Sequence, residues 1–534
     1  MTPMSKPAIA LPVDASGPQA VPPVATAVPA FIGCTQRADD GHGRSLVGTP
    51  VRITSHAEFL AYFAEADAAS VPARPQYHLV SQGTPLSSMP LEGMPPKTAA
   101  QLVIGSQRFA ALPDPGTLYH LHRSVALFYA NGGGDAWIVS AGLCGPATGQ
   151  PVETASTPPV NPNLSLAALL QALAALRDQT EPTLYVCPDA TLLSPQDNAT
   201  LMQAMLAQAD ALGTVLCLFD VINGDQPTAD GYVQDIAAFR QATGNVGLDR
   251  GACYYPFIVT NGLIDDALDD AIDFTHLFGG DTKRLAALLE LGDGPDPAVA
   301  SILAAIGTAA PADRAALQAK LLAASRTYAS IVQVVQTAAD TMPASGAMAG
   351  VYANNDNTQG VWTAPANVGI VGVTDLPFLL NDAQQAGLNV DPVTGKSINA
   401  IRSFASRGIV VWGARTLDGN SQDWRYVHVR RTMDYINATL REIMRACVFM
   451  PNDANTWSLV NMQAGAFLTE LWRQGGLVGA TASDAFSVAT GLGTTMTAQD
   501  LLDGYMRLTA QVAVMRPAEF LVTTLEQPMQ SPTD

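Results

Sequence analysis

Runs of apolar residues divide the chain into elements. Pro29–Thr35 (PAFIGCT) is apolar on both faces, as a buried strand should be. Ser55–Phe63 (SHAEFLAYF) combines a Ser cap, Glu58 three residues on and apolar residues at helical spacing, which predicts a capped helix. His122–Tyr129 is a second helical stretch. It stops at Asn131-Gly132-Gly133-Gly134, ahead of a strand at Ala136–Ser140. Helix and strand then alternate from about 160 to 260: helix Leu164–Leu176, strand Thr183–Cys187, helix Pro195–Leu212 stopped by Gly213, strand Thr214–Val221, helix Val233–Ala242 and strand Tyr254–Val259. Because TVLCLFDV is almost continuously apolar, it fits a parallel strand covered on both sides. The alternation predicts a doubly wound α/β unit.

Residues 263–340 read as helical throughout, with Ala-rich amphipathic segments near 284–291, 297–306 and 312–338. Farther on, Gly408–Arg431 holds a buried-strand run (Ile409–Trp412) and a turn at Asp418-Gly419-Asn420. The alternating segment Trp424–Arg431 predicts a second strand. Helix 432–447 follows, with Met433, Ile436, Leu440, Ile443, Met444 and Cys447 as its apolar stripe. The expected organisation is an extended Pro-rich arm over 1–28 and an N-terminal region over 29–160, with a surface excursion at 70–115. An α/β domain over 161–345 carries a helical insertion at 263–340. An α+β domain over 346–515 and a C-terminal arm over 516–534 complete it.

Composition narrows the function classes. The net charge of −19 opposes nucleic-acid binding, since phosphates would meet a repulsive field. Charged residues make up only 14% of the chain and hydrophobic ones 48%, which suggests surface covered by partners. The six cysteines lie far apart without a CxxC pair, so reduced, buried thiols are expected and zinc is not. No apolar signal segment is found, and Leu164–Leu176 is too short and too interrupted to span a membrane.

Candidate chemistry is sparse. Gly395-Lys396-Ser397 lacks the glycine a phosphate loop needs five residues earlier, where Val390 stands. Asn131–Asp135 lies between helix and strand, the wrong order for a dinucleotide fingerprint, and reads as a tight turn. Asp220, His276 and Ser345 occur in the chain order of a subtilisin-type triad but lack its flanking residues; a serine hydrolase is carried as the alternative reading. Asp265, Asp266, Asp269, Asp270 and Asp273 read as the solvated face of a helix. No metal or cofactor is expected. One charge feature stands out: Arg402, Arg407, Arg415, Arg425, Arg430, Arg431, Arg441 and Arg445 crowd one stretch of an acidic chain. Intramolecular pairing and a docking surface for an acidic partner are equally consistent with it.

The C-terminal third resembles the contractile tail sheath family. Ala344–Asn367 (ASGAMAGVYANNDNTQGVWTAPAN) is similar to its paired Gly-Val-Tyr-Ala and Gly-Val-Trp-x-Ala-Pro segments. Leu388-Asn389, Ile398–Ile401 (with Ser397 where glycine is usual), Trp412–Leu417, Val427–Arg431, Phe467–Gly479, Asp484–Phe486 and Arg516–Phe520 continue the series in order. Thr26–Gly33, Thr54–Phe63 and Val125–Val139 resemble its N-terminal elements.

The resemblance implies a non-enzymatic subunit of a helical sheath of stacked six-fold rings. That sheath surrounds an inner tube, ends at baseplate and cap proteins, and contracts to drive the tube through a target envelope. It also implies a middle domain of subtilisin-like topology, and interlocking arms carrying Val24, Thr26, Val28, Phe520, Leu521, Val522, Thr523 and Leu525. Arg441 and Arg445 are expected to face the tube. A single chain carrying both halves differs from the two-protein type VI sheath, and its insertions favour an extracellular injection system. Cytoplasmic assembly without a signal peptide, then release without membrane insertion, is expected. A static tube or shell protein is the remaining alternative.

Overall fold

The first apolar run forms strand β1 (Pro29–Thr35), buried at all seven positions. In the computed structural model, residues 24–64, 75–81, 101–152, 158–225, 231–260, 282–309 and 311–516 are described. Contacts group the described residues into two compact units: residues 25–434 with Arg516, and residues 435–515 with Val24.

In the larger unit, β2 (Val51–Ile53) leads into α1 (His56–Phe63), where the Ser55 hydroxyl accepts the Glu58 N–H as the sequence predicts. Strands β3 (Tyr77–Ser81), β4 (Gln101–Ile104) and β5 (Gln107–Pro113) precede α2 (Leu121–Ala130) and β6 (Ala136–Leu143). The expected alternation follows as α3 (Leu166–Ala175), β7 (Leu184–Val186), α4 (Pro195–Leu212), β8 (Leu216–Asp220), α5 (Gly231–Ala242) and β9 (Gly251–Tyr255). Ser194 caps α4 and Gly213 ends it at φ 70°, a left-handed position suited to glycine.

The predicted strand Tyr254–Val259 is in fact two. Pro256 and Phe257 interrupt it, and β10 (Ile258–Thr260) pairs in a separate small sheet. Proline lacks the N–H that a continuous ladder needs.

Residues 263–340 are helical where described: α6 (Thr282–Asp293), α7 (Pro297–Thr308), α8 (Pro311–Ala324) and α9 (Arg326–Asp340). Ser325 caps α9 and so divides the expected 312–338 helix. The excursion at 70–115 is not plain loop. Its strands form a sheet of order β3-β5-β4, and Tyr77, Ile104 and Phe109 share one core with Leu288, Leu289, Leu303, Ile331 and Val335. Two separate insertions thus build one lobe, because neither buries enough apolar surface alone. At its base, Arg123 donates to the Ala339 carbonyl, to Thr260 Oγ1 (2.7 Å) and to Asp340 (2.8 Å).

After β11 (Thr341–Met342) come α10 (Ser345–Gln359), β12 (Val368–Gly369), β13 (Val373–Asp375), α11 (Asp382–Asn389), β14 (Asn399–Phe404) and β15 (Gly408–Val411). The central sheet has nine strands in the order β12-β15-β14-β9-β8-β7-β1-β6-β2, parallel from β14 through to β6. It draws on three of the regions distinguished in the sequence. Phe31, Leu184, Val186, Leu216 and Tyr254 point to one face, against α1, α2 and α10. Ala30, Ile32, Tyr185, Cys217 and Cys253 point to the other, against α3, α4 and α5. Helices therefore cover both faces of a mixed sheet.

Helix α10 carries the Gly-Ala-Met-Ala-Gly segment and crosses α2 at very short range. A Cβ on Gly346 would fall 2.5 Å from Ser124 Cβ, and one on Gly350 would fall 2.5 Å from the Phe128 carbonyl.

The predicted strand Trp424–Arg431 is instead the entry to α12 (Val427–Arg445). Residues 427–432 are all buried, so the sequence shows no amphipathic period there by which to tell helix from strand.

The smaller unit contains the rest of α12, α13 (Ala454–Arg473) capped by Asp453, α14 (Ala482–Ala485), β16 (Phe486–Ala489), α15 (Ala498–Leu502) and β17 (Thr509–Val512). Ile436, Leu440, Ile443, Val460, Ala464 and Leu468 are buried, and the Tyr435 and Phe467 rings meet edge-on at 5.6 Å. Strands β16 and β17 pair antiparallel as a two-stranded sheet. Among the described residues, no helix is long and apolar enough to cross a membrane.

Candidate interaction surfaces

The residues proposed for chemistry serve the scaffold. The structure brings Asp220 and Ser345 together as helix capping: Asp220 Oδ1 accepts the N–H groups of Ala344 (2.8 Å) and Ser345 (3.0 Å). Helix α10 has no capping side chain of its own, so a carboxylate 124 residues away satisfies its N-terminus. Ser345 is fully buried, which leaves its hydroxyl no route to a substrate. His276 lies outside the described residues, as do Asp265, Asp266, Asp269, Asp270 and Asp273.

Asp189 repeats the device at α2, accepting from His120 N (2.6 Å), Leu121 N (3.2 Å) and Cys34 N (2.9 Å). Burial pushes both carboxyls up to about 6, against the N–H bonds that pull them down. The sequence reading missed Asp189 altogether; its one signal is an acid directly after the buried strand LYVCP.

Lys396 is also structural. Its Nζ is buried and donates to the carbonyls of Arg240 and Gly244, both at 2.5 Å. Among the described residues, no group of three or more His, Cys, Asp or Glu is placed to hold a metal ion. Burial pushes the Cys34 thiol up to about 12 and those of Cys187 and Cys253 well above their ordinary value.

The arginine-rich stretch divides in two. Arg402 bonds Asp382 (2.8 Å), Arg407 bonds Asn367 (2.6 Å), and Arg415 and Arg425 bond backbone carbonyls. Arg431 is buried, bonds Asp356 through two nitrogens, stacks over Tyr352 at 4.8 Å and donates to the Thr26 carbonyl (2.9 Å). Arg430 and Arg250 share Asp434, with N–O distances of 2.7–2.8 Å, while Arg430 also reaches Asp249 and packs on Trp424 at 4.0 Å. These six arginines pair within the chain. Arg441 and Arg445 do not join them: both are exposed, Arg445 meets only the partly exposed Glu442 one turn earlier, and Arg441 has no ion pair among the described residues.

Of the arm residues, Thr26 and Val28 are fastened to their own chain. The Thr183 hydroxyl donates to the Thr26 carbonyl (2.7 Å) and accepts the Val28 N–H (2.9 Å), and Val28 is buried. They form the root of the N-terminal segment, not its reach. Val24 is half-buried at the edge of the described residues, and Phe520, Leu521, Val522, Thr523 and Leu525 lie outside them.

Comparison with known proteins gives the class of protein. Residues 420–527 match the family model for the phage tail sheath C-terminal domain. A 139-residue segment, 26% of this chain, is 27% identical to the tail sheath protein of Vibrio phage KVP40, and the match spans 20% of that relative's length. A chain of the anti-feeding prophage baseplate, solved with six-fold symmetrisation, is 25% identical with a TM-score of 0.56, over 98% of this chain and 100% of that one. A chain of the PVC sheath complex, an extracellular contractile injection system in the contracted state, shares the fold at 22% identity and TM-score 0.57, over 99% of each chain. The chain is thus similar to contractile tail sheath proteins, through its residues 420–527 and through its full-length likeness to the anti-feeding prophage chain.

Proposed function

We propose that this chain is the structural subunit of a contractile sheath, polymerising helically around an inner tube and shortening to drive the tube through a target envelope. The observation that carries the reading is the full-length likeness to the anti-feeding prophage chain, with sequence identity as well as fold. That likeness favours an extracellular injection particle built on six-fold rings and a baseplate. An inner tube protein and a terminal cap are its other partners, with assembly in the bacterial cytoplasm before release.

The structure lends physical support. A two-stranded sheet such as β16–β17 is marginal alone and is completed naturally by strands from neighbouring copies. The terminal segments are the donors in this reading, the N-terminal one leaving from its root at Thr26 and Val28. Open stacking of this kind needs heterologous contacts that do not close. The sheet covered on both faces has the layering of the subtilisin-like topology proposed for the middle domain, with Asp220 and Ser345 kept as helix-capping residues. Contraction then releases a kinetically trapped extended state without nucleotide hydrolysis. Arg441 and Arg445 are the tube contact.

Negative-stain electron microscopy of the chain co-expressed with its tube protein tests this. Striated hollow tubules of uniform width are expected, in long and short forms. Monodisperse particles under all salt conditions would overturn it, and tubules of one fixed length would mean a static tube.

A further inference from the structure

Helix α12 ends at Arg445 in a run of tight turns, with Val448 N–H bonded to the Arg445 carbonyl and Met450 N–H to that of Cys447. Within them Phe449 takes φ 70°, a left-handed conformation that glycine adopts freely and a bulky aromatic residue does not. Its side chain is 103% exposed, and Val448 and Met450 beside it are exposed too. The loop is nonetheless well held. Asn452 donates to the Tyr505 carbonyl (3.0 Å) and accepts from Trp457 Nε1 (2.7 Å). The unit's own core therefore makes no use of an aromatic ring fixed in a disfavoured backbone state at its surface. Residues held in such backbone states cluster at sites of function.

The setting states what the partner looks like. Arg441 and Arg445 are exposed on the last turns of α12, just before the tip. Among the described residues only Arg445 of this pair has an acid in reach (Glu442, itself partly exposed). An exposed aromatic beside two exposed guanidinium groups fits a recess that is apolar at its centre and acidic at its border, the usual division between a buried anchor and a charged rim. We infer that Val448-Phe449-Met450 is an apolar anchor that inserts into the inner tube protein. This rests on Arg441 and Arg445 being the tube contact, and it adds the element that holds the sheath there once the charges have set the register.

The test uses the full chain co-expressed with the tube protein and measures tube recovered with sheath by co-sedimentation, at low and high salt. F449S and F449G are each expected to lower recovered tube by about tenfold or more at both salt levels, while sheath copies still associate with one another. F449G should also raise the unfolding midpoint, because the left-handed backbone is relaxed; a residue serving only to end the helix would show that rise with tube recovery intact. R441E/R445E should lower recovery as well, most steeply at low salt. Normal recovery with both Phe449 variants overturns the anchor whatever the arginine variant does. Loss confined to R441E/R445E overturns it while leaving the arginine contact standing. Loss with the Phe449 variants alone would leave an anchor without its charged border and overturns the inference as stated. If F449S instead stops sheath copies associating without tube, the tip is a copy-to-copy contact and the inference fails.

Discussion

Replacing Gly350 in α10 by alanine should destabilise the larger unit even though alanine is the better helix former. The new Cβ would lie 2.5 Å from the Phe128 carbonyl oxygen and 2.7 Å from Asn131 Cβ, where ordinary contact begins at 3.4 Å. The obstacle is backbone, so α2 and α10 must separate by roughly 0.9 Å, the shortfall between those two distances, and the sheet face beneath them must follow. Helix propensity contributes about 1 kcal/mol in favour of alanine. Overpacking against an immovable wall costs about 3 kcal/mol, the upper end of the usual range. The net is a loss of about 2 kcal/mol, some thirtyfold in the folding equilibrium. Gly387 in α11 and Gly465 in α13 are internal controls. A Cβ on either meets nothing within 4 Å, so alanine there should gain about 0.5–1 kcal/mol. Urea midpoints of the unassembled chain, with hydrogen exchange at α2 and α10, would separate the cases. If Gly350→Ala matched Gly465→Ala, the argument that backbone approach fixes this motif would be wrong.

Removing the acid shared by two guanidinium groups, Asp434→Ala, leaves Arg250 and Arg430 facing each other in a buried site and should cost about 3–5 kcal/mol, read as a lower urea midpoint. Asp220 titrates near 6 when folded, above its value of about 3.9 when unfolded, so its ionisation costs stability. Its contribution is therefore greatest below pH 4 and is lost as pH rises through 6. Asp220→Asn should gain on wild type by up to about 3 kcal/mol between pH 4 and 7, visible as converging or crossing thermal midpoints. Native protein should react slowly with a disulfide reagent at Cys34, Cys187 and Cys253, whose thiols burial holds protonated, and all six cysteines should react once it is unfolded.

The parallel strands were legible because burial on both faces leaves an uninterrupted apolar run, as in Leu216–Asp220. The lobe was not, because its core joins residues from 77–109 with residues from 285–339, and each stretch alone reads as loop or as loose helices. The start of α12 was misread for a related reason. His428, Arg430 and Arg431 are polar in sequence but buried by partners at Tyr352, Asp356, Asp249 and Asp434, so the polar positions did not mark a solvent face. The same long-range pairing, at Arg402, Arg430 and Arg431, explains why the arginine cluster looked uniform in sequence while only Arg407, Arg441 and Arg445 proved to be exposed. Asp220 and Ser345, named in sequence only as parts of the alternative hydrolase triad, do lie together, but through backbone N–H groups of α10 that no sequence pattern announces.

The fastening of Thr26 has a mechanical consequence. The chain enters β1, an interior strand flanked by parallel neighbours β6 and β7, immediately after its carbonyl is gripped by Thr183 and Arg431. Tension on the preceding segment along the strand axis would load the ladders on both flanks at once, in shear, instead of peeling bonds open one by one. Part of that force would pass through Arg431 to Asp356 and so into α10. A chain end rooted at a sheet edge would unzip; one rooted here would pass the pull to the middle of the larger unit.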